Sequence, residues 1–201
     1  MTPEAIRHLK KSDKVLKSLI EKVGPFNLKP QKKQETHEAL IEAVAYQQLT
    51  GKAAATIFNR FLALYPDSKF PPPEKVARTT VAKLRSAGLS NAKCLSIRDI
   101  AKKTLDGVVP NAREIVKLSD DEIIERLTSI RGVGPWTVEM LLIFKLGRPD
   151  VFPSTDYGIR KGYALVYKKK ALPKPKQLLL LTEKWKPYRT TAAWYLWRAL
   201  D

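Results

Sequence analysis

The amino-acid sequence predicts an all-α fold with about nine or ten helices. Apolar residues recur at helical spacing in successive segments, and glycines, prolines and capping residues separate those segments. No stretch shows the alternation of apolar and polar residues that is typical of a strand. The chain has 201 residues, of which 44% are hydrophobic. That composition suffices for one good-sized domain or for two small helical lobes.

Helix-breaking residues separate the predicted helices of the first half of the chain. Gly24-Pro25 ends the first helix, Thr50-Gly51 interrupts the apolar run that follows, and Gly88 stops the last. A loop at 66–73 ends in three consecutive prolines, which cannot lie inside a helix. The predicted helical segments are 3–23, 35–49, 52–65 and one or two short turns within 76–87.

Capping residues mark the helices of the second half. Ser90 can cap the segment that follows it, and Ser119 with Glu122 forms a capping box. Pro135 and Asp156 each stand before a further apolar segment. The predicted helical segments are 91–105, 120–129, 136–146, 157–167, 177–185 and 188–200.

The charge of the chain favours a polyanionic partner. Lys and Arg outnumber Asp and Glu by 37 to 20, which gives a net charge of +17. Such a balance says little about fold, but it is typical of proteins that bind nucleic acid. Cys94 is the only cysteine, so an intramolecular disulfide, a four-cysteine iron–sulfur cluster and a zinc ribbon are excluded. We therefore expect an intracellular location.

The stretch from Leu127 to Met140 predicts a very tight helix–hairpin–helix. Gly132 and Gly134 allow positive φ and close approach of another backbone, and Pro135 presets the first turn of the second helix. The bare N–H groups and positive dipole end of such a helix suit a phosphate oxygen. An ordinary corner in a helical bundle is the alternative, and spacing alone leaves both open.

Asp156 stands at a predicted helix start, after the loop 150–155. Aspartate is a good N-cap, and taken alone this position is explained by capping. A functional carboxylate is the second interpretation.

Taken together, these segments resemble the helix-hairpin-helix (HhH-GPD) DNA glycosylase superfamily, and most closely its 3-methyladenine DNA glycosylase II branch. Each motif alone is weak, but they occur in family order over most of residues 34–200. The matching elements are Tyr46-Gln-Gln-Leu-Thr50 with the alanine-rich helix after it, Gly88-Leu-Ser90, the hairpin Ile130 to Thr137, Asp156, and Trp185-Lys-Pro-Tyr-Arg189 leading into Trp194-Tyr-Leu-Trp197.

The resemblance implies a two-lobed helical fold with the active-site cleft between the lobes. It implies an N-terminal helix and connector at 1–33 that packs on the C-terminal lobe, a central lobe at 34–118, and a hairpin and C-terminal lobe at 119–201. Members of this branch often carry an additional N-terminal β-domain. With about thirty residues before the first match, this chain resembles the minimal form.

The implied activity is excision of a damaged base from double-stranded DNA after the nucleotide is rotated out of the duplex. Asp156 matches the family's catalytic aspartate, whose carboxylate stabilises positive charge on the sugar as the base departs. Relatives with lyase activity use a lysine two residues after the second hairpin glycine. Trp136 occupies that place here, so we expect a monofunctional glycosylase that leaves an abasic site and requires no metal or organic cofactor.

The resemblance also implies an aromatic pocket for the extruded base. An electron-rich wall favours a cationic alkylated purine, such as 3-methyladenine or 7-methylguanine, by roughly 0.5–2 kcal/mol. The alternative for each aromatic residue is an ordinary place in the core. The implied pocket residues are Trp136, Tyr157, Trp197, Met140 and Tyr46.

The remaining implied contacts concern the DNA strand. Leu49, with Gln48 beside it, is the expected apolar wedge that enters the duplex, although a buried leucine is equally compatible with the sequence. Lys52 and Lys93 are candidate side-chain contacts, although a solvated lysine is the default expectation for each, and the run 168–170 is expected to be a solvated loop. The predicted phosphate-binding residues are Gly132, Gly134, Trp136 and Thr137, and carbonyls that match a family site for Na⁺ or K⁺ are those of Thr128, Ile130 and Val133.

The expected partner is therefore damaged double-stranded DNA, bound by a monomer. Two alternatives stay open at this point. One is a glycosylase for another lesion, such as ethenoadenine, uracil or an oxidised purine. The other is a non-catalytic module that uses the hairpin only to bind phosphates.

Overall fold

A computed structural model describes residues 3–49 and 51–201, and within them the fold is entirely helical. The prediction of an all-α fold is thus confirmed. Thr50, which belongs to the motif that starts at Tyr46, lies outside the described residues. The helices are α1 (Pro3–Ser12), α2 (Lys14–Val23), α3 (Thr36–Tyr46), α4 (Gly51–Ala63), α5 (Pro73–Arg78), α6 (Val81–Ser86), α7 (Asn91–Leu105), α8 (Ala112–Ile115), α9 (Asp120–Thr128), α10 (Pro135–Met140), α11 (Tyr157–Val166), α12 (Pro175–Leu181) and α13 (Arg189–Arg198), with a π-helix at Leu141–Leu146 and a 3₁₀ turn at Glu183–Trp185.

Side-chain capping explains where the observed helices depart from the predicted ones. The segment predicted as one helix at 3–23 is two, because Asp13 adopts an extended conformation and its carboxylate accepts the N–H groups of Val15 and Leu16. Helix α8 was missed, although Asn111 and Glu114 form the capping box that opens it.

The chain separates into two compact units, Met1–Pro30 with Leu142–Asp201, and Gln31–Leu141. We call these the first and the second unit. The division differs from the expected boundary at 119, because it keeps the hairpin with residues 31–118. The reason is local packing, since α10 packs against both α9 and α3.

The first unit has a core formed by its N-terminal helices together with α11 and α13. Helices α11 and α13 approach very closely, since a Cβ at Gly162 would lie 2.2 Å from the carbonyl oxygen of Leu196. The carboxylate of Asp13 is buried here and accepts hydrogen bonds from Tyr167 and Trp185. Buried members of this core include Leu9, Leu16, Ile159, Trp185, Trp194 and Tyr195.

The second unit is organised around α7, which packs against α3, α5 and α6. Buried aliphatic residues of α3 and α7, such as Ile41 and Ile97, fill its centre. Phe58, Phe61 and Phe70 add an aromatic cluster. In the described part of the chain, no helix combines the length and apolar character that a membrane crossing requires.

Candidate active site

Asp156 is the N-cap of α11, and its side chain is held by two donors. Oδ1 accepts the backbone N–H of Ile159 at 2.8 Å and the indole Nε1–H of Trp197 at 3.0 Å. Gly158 makes room for this arrangement, since a Cβ there would lie 3.1 Å from both Asp156 Oδ1 and Trp197 Cδ1. The carboxylate is partly exposed. Capping and a second, side-chain contact therefore fix the orientation of one carboxylate.

Aromatic side chains lie around this carboxylate within the first unit. Trp197 stacks on Phe144 with ring centroids 5.6 Å apart and an angle of 29° between the rings. Tyr157, directly after Asp156, is 65% exposed, and Phe144 is 39% exposed. The sequence analysis missed Phe144, because it lies in an apolar run. Apolar character alone does not distinguish this exposed residue from its neighbours, which are mostly buried.

Two other tryptophans of the C-terminal motif belong to the core of the first unit. Trp185 is fully buried and donates its indole N–H to Asp13 at 3.1 Å. Trp194 is buried against Phe26, with ring centroids 4.9 Å apart. Among the tryptophans of this motif, only Trp197 contacts Asp156 in the described residues.

The hairpin lies in the second unit, and of its two glycines only Gly132 takes a positive φ. Gly132 has a φ of +73°, and Gly134 is the N-cap of α10 with Pro135 at its first position. The N–H groups of Thr137 and Val138 both donate to the carbonyl oxygen of Gly134, at 2.9 and 3.2 Å. These two bonds form the first turn of α10, in which the carbonyl of the N-cap residue accepts the first N–H groups of the helix.

The two hairpin glycines have different surroundings. A Cβ at Gly132 would lie 2.0 Å from the hydroxyl oxygen of Ser96 on α7, whereas a Cβ at Gly134 would meet nothing within 4 Å. The neighbouring N–H of Arg131 donates to Asp99 of the same helix at 2.9 Å. Gly132 is therefore required for packing of the hairpin on α7, and Gly134 leaves its outer side open.

The predicted contact residues of α10 are not equally accessible. Trp136 is partly exposed, but Met140 and Thr137 are buried. The Thr137 hydroxyl accepts a hydrogen bond from Gln47 Nε2 at 2.8 Å, and its N–H is used within the turn. Thr137 is therefore engaged inside the second unit through its N–H and as an acceptor, and its contact with phosphate stays a prediction.

The loop after α3 presents an apolar tip. Gln48 has a φ of +56°, and Leu49 is 41% exposed. The alternative of a buried leucine at this position is thereby excluded. Tyr46, the last residue of α3, is partly exposed and packs edge-on against Phe58.

Lys93 is partly exposed, and its side chain reaches the end of α3. Its ammonium group donates to the carbonyl oxygens of Ala45 and Gln47 at 2.9 and 2.8 Å, and burial lowers its pKa. Two of the three donors of the Lys93 ammonium are thus used inside the protein, and a phosphate contact by Lys93 stays a prediction. Lys52, the other candidate, is exposed in the first turn of α4.

The three carbonyls proposed from the resemblance for a cation lie between the end of α9 and the hairpin turn. Thr128 ends α9, so its carbonyl lies in the turn whose groups lack intrahelical partners. The carbonyl of Ile130 accepts the N–H of Val133 at 3.1 Å. Among the described residues, no group of three or more His, Cys, Asp or Glu side chains is placed to hold a metal ion.

Comparison with known proteins identifies the family. Residues 41–187 match the model of the HhH-GPD superfamily base excision DNA repair proteins. DNA-3-methyladenine glycosylase 1 of Schizosaccharomyces pombe is 44% identical over 95% of this chain and 84% of its own length. The alkylbase DNA glycosidase-like protein mag2 of the same yeast is 36% identical over 96% of this chain and 92% of its own length.

A solved structure gives the same answer at the level of fold. The 3-methyladenine DNA glycosylase Mag1 of Schizosaccharomyces pombe, in complex with abasic DNA, superposes with a TM-score of 0.94 and 43% identity, over 97% of this chain and 95% of that one. The chain therefore belongs to the HhH-GPD superfamily of base excision DNA repair proteins.

Proposed function

We propose that this protein is a monomeric, monofunctional DNA glycosylase that removes alkylated bases of the 3-methyladenine and 7-methylguanine type from double-stranded DNA. The observation that carries the proposal is the carboxylate of Asp156, fixed by a backbone N–H and by the indole of Trp197. The relatives named as 3-methyladenine DNA glycosylases support the substrate class.

The proposed reaction breaks the bond between C1′ of the deoxyribose and the nitrogen of the base. The electron pair of that bond leaves with the base, which is already a good leaving group when alkylation has made it cationic. Positive charge then develops on the sugar, and the Asp156 carboxylate stabilises it. Water adds to C1′ and loses a proton, which leaves an intact abasic site.

Aromatic rings beside Asp156 support the preference for a cationic base. Tyr157 and Phe144 are exposed, and Trp197, which stacks on Phe144, is partly exposed while its N–H donates to the carboxylate. A desolvated aromatic face favours a cation by up to about 2 kcal/mol. The same roles for Trp136, Met140 and Tyr46 stay predictions.

Release of free base from methylated DNA tests the activity. We expect the wild type to release 3-methyladenine or 7-methylguanine, and Asp156→Asn to be slower by about 100-fold or more, because the developing charge loses its counter-ion. Both proteins should bind an abasic duplex with similar affinity. Binding without any base release by the wild type, from methylated DNA or from a panel with ethenoadenine, uracil and 8-oxoguanine, would favour a non-catalytic DNA-binding module.

The second part of the proposal is the absence of lyase activity. Trp136 stands where lyase-type relatives carry a nucleophilic lysine, and an indole cannot form a Schiff base. Borohydride reduction in the presence of abasic DNA should give no covalent adduct. A robust adduct would show that another amine of this chain attacks the sugar.

No metal or organic cofactor is needed for this reaction. The carbonyls of Thr128, Ile130 and Val133 would hold a Na⁺ or K⁺ ion, since neutral carbonyl oxygens suit such ions. A bound cation would place positive charge where the hairpin meets a DNA phosphate. The backbone N–H groups of Gly132, Gly134 and Trp136 are the proposed direct contacts to that phosphate.

A further inference from the structure

A single carboxamide joins two segments of the second unit that are far apart in sequence. We call residues 47–49 the wedge loop and residues 130–137 the hairpin. Nε2 of Gln47 donates to the carbonyl oxygen of Gly132 at 3.1 Å and to the hydroxyl of Thr137 at 2.8 Å. Thr137 is buried, so one end of this bridge is shielded from water.

The same glutamine is also held at its backbone. Lys93 Nζ donates to the carbonyl oxygens of Ala45 and Gln47, which lie at the C-terminal end of α3, where carbonyls lack intrahelical partners. A cation is favourable at this end of a helix. Gln47 is therefore fixed both through its carbonyl and through its side chain.

The residues directly after Gln47 form the exposed tip of the wedge loop. Gln48 takes a left-handed conformation and Leu49 is 41% exposed, so the next two residues contribute little to the core. Exposure of a leucine side chain to water is unfavourable, and insertion of that side chain between bases would remove this cost. The base of the wedge loop is thus held by hydrogen bonds, and two of these bonds connect it to the hairpin.

On the basis of the proposed glycosylase function, we propose that Gln47 is a positioning residue for opening of the duplex. Its carboxamide holds the wedge loop in register with the hairpin, and Lys93 keeps the end of α3 in place. The hairpin binds a phosphate, and Leu49 enters the base stack. The bridge couples these two events. Without the bridge, the wedge loop must be ordered during insertion, which is entropically costly.

This role predicts a defect that depends on how difficult the target base is to unpair. Extrusion is costly from an intact duplex and cheap where the base has no partner. We expect Gln47→Leu, which removes the donors at similar size, to slow single-turnover excision from a paired duplex by about tenfold. Excision of the same alkylated base placed opposite an abasic site should change by less than about twofold.

Matched variants separate the bridge from general destabilisation. Thr137→Val removes the buried acceptor and should lower the paired-to-unpaired ratio of rates, whereas Thr137→Ser keeps an acceptor and should lie closer to the wild type. Tyr65→Phe removes a hydrogen bond to Thr79 elsewhere in the second unit, at 2.8 Å, and should leave the ratio unchanged. An equal loss on both substrates in Gln47→Leu would overturn the inference, as would no loss on either.

A second measurement does not depend on base release. Fluorescence of 2-aminopurine beside an abasic analogue reports unstacking when protein binds. The wild type should raise this fluorescence, and Gln47→Leu should raise it less at saturating protein. If base release fails but the fluorescence difference is present, the proposed function is wrong and the positioning role stands. If the fluorescence of the wild-type complex is unchanged, the wedge loop does not open the duplex and the inference falls.

Discussion

At the scale of single residues, the most informative contact joins Trp197 to Asp156. Two donors converge on one carboxylate oxygen, and the indole ring is in turn stacked on Phe144. The sequence resemblance assigns Trp197 to the base pocket only. The structure adds a hydrogen bond, so that the same side chain can both face a base and orient the candidate catalytic group.

Replacement of Trp197 by phenylalanine separates these two contributions. Trp197→Phe keeps an aromatic ring but removes the N–H, and a hydrogen bond to a charged acceptor is worth about 1.5–3 kcal/mol. We expect kcat for base release to fall about 10- to 100-fold while affinity for an abasic duplex changes little. Trp185→Phe is the matched control, because it removes an indole N–H from Asp13 instead. It should lower stability and leave kcat near the wild-type value. Wild-type kcat in Trp197→Phe would show that the N–H is dispensable.

Asp13 makes a testable contribution to the stability of the first unit. Desolvation by burial raises its pKa, but hydrogen bonds from Tyr167, Lys184, the Leu16 N–H and Trp185 together outweigh burial and lower it. A lowered pKa means that this stabilisation is present above the ordinary value of 3.8 and is lost as pH falls through the folded-state value.

The variant Asp13→Asn should therefore lower the free energy of unfolding by about 2–3 kcal/mol at neutral pH. The difference from the wild type should shrink as the pH falls below about 4. Denaturant unfolding at several pH values measures both. Glu183→Gln is the matched control, because Glu183 forms an exposed pair with Lys186 and should contribute less than about 1 kcal/mol. A difference for Asp13→Asn that grows on acidification would contradict the assigned sign.

Sequence reasoning located those candidate residues whose position in the fold depends on local pattern. Asp156 is recognisable as a residue before a helix, and Leu49 as an apolar residue beside the interruption at Thr50-Gly51. The interior partners of Thr137 and Lys93 come from residues distant in sequence. Their engagement depends on tertiary packing, which periodicity and motif spacing do not encode.

At the scale of elements, the hairpin is built from two glycines that serve different purposes. Gly132→Ala places a Cβ against Ser96 and forces a non-glycine residue into positive φ. The left-handed conformation alone costs about 1–2 kcal/mol. We expect a fall in the melting temperature that Ser96→Gly only partly restores, because the double variant removes the overlap but not the backbone strain.

Gly134→Ala should behave differently. Its φ of −96° is accessible to alanine and its Cβ would meet no atom of the protein within 4 Å. We expect stability to be unchanged within about 0.5 kcal/mol and affinity for duplex DNA to fall, because the added methyl lies on the open side of the hairpin. Thermal unfolding and a DNA titration of the same preparation measure these quantities. Unaltered DNA affinity would show that this side does not approach the strand.

Element boundaries show where local pattern ceases to be sufficient. The capping box at Ser119 predicts the start of α9 correctly, and Ser90 does so for α7. The predicted helix 136–146 is α10 followed by a π-helix at Leu141–Leu146. Apolar spacing cannot distinguish i→i+4 from i→i+5 hydrogen bonding over one or two turns, since most residues of this run are apolar and most are buried.

At the scale of the whole molecule, the net charge of +17 predicts strongly salt-dependent DNA binding. Each lysine or arginine that neutralises a phosphate releases counter-ions, and the logarithm of the binding constant then falls by about 0.9 per contact for each decade of salt. The slope of that plot therefore counts phosphate contacts. Single lysine variants can assign them.

Lys52 and Lys169 make a discriminating pair for this measurement. Lys52 is exposed in the first turn of α4, near the wedge loop, where the helix dipole disfavours a cation unless an anion is close. Lys169 follows the end of α11, about 15 Å along that helix from Asp156 at its start. Lys52→Gln should reduce the steepness of the salt dependence by about one contact, and Lys169→Gln should leave it unchanged although the net charge changes equally. Equal effects of the two variants would mean that DNA responds to total charge and not to the wedge-loop surface.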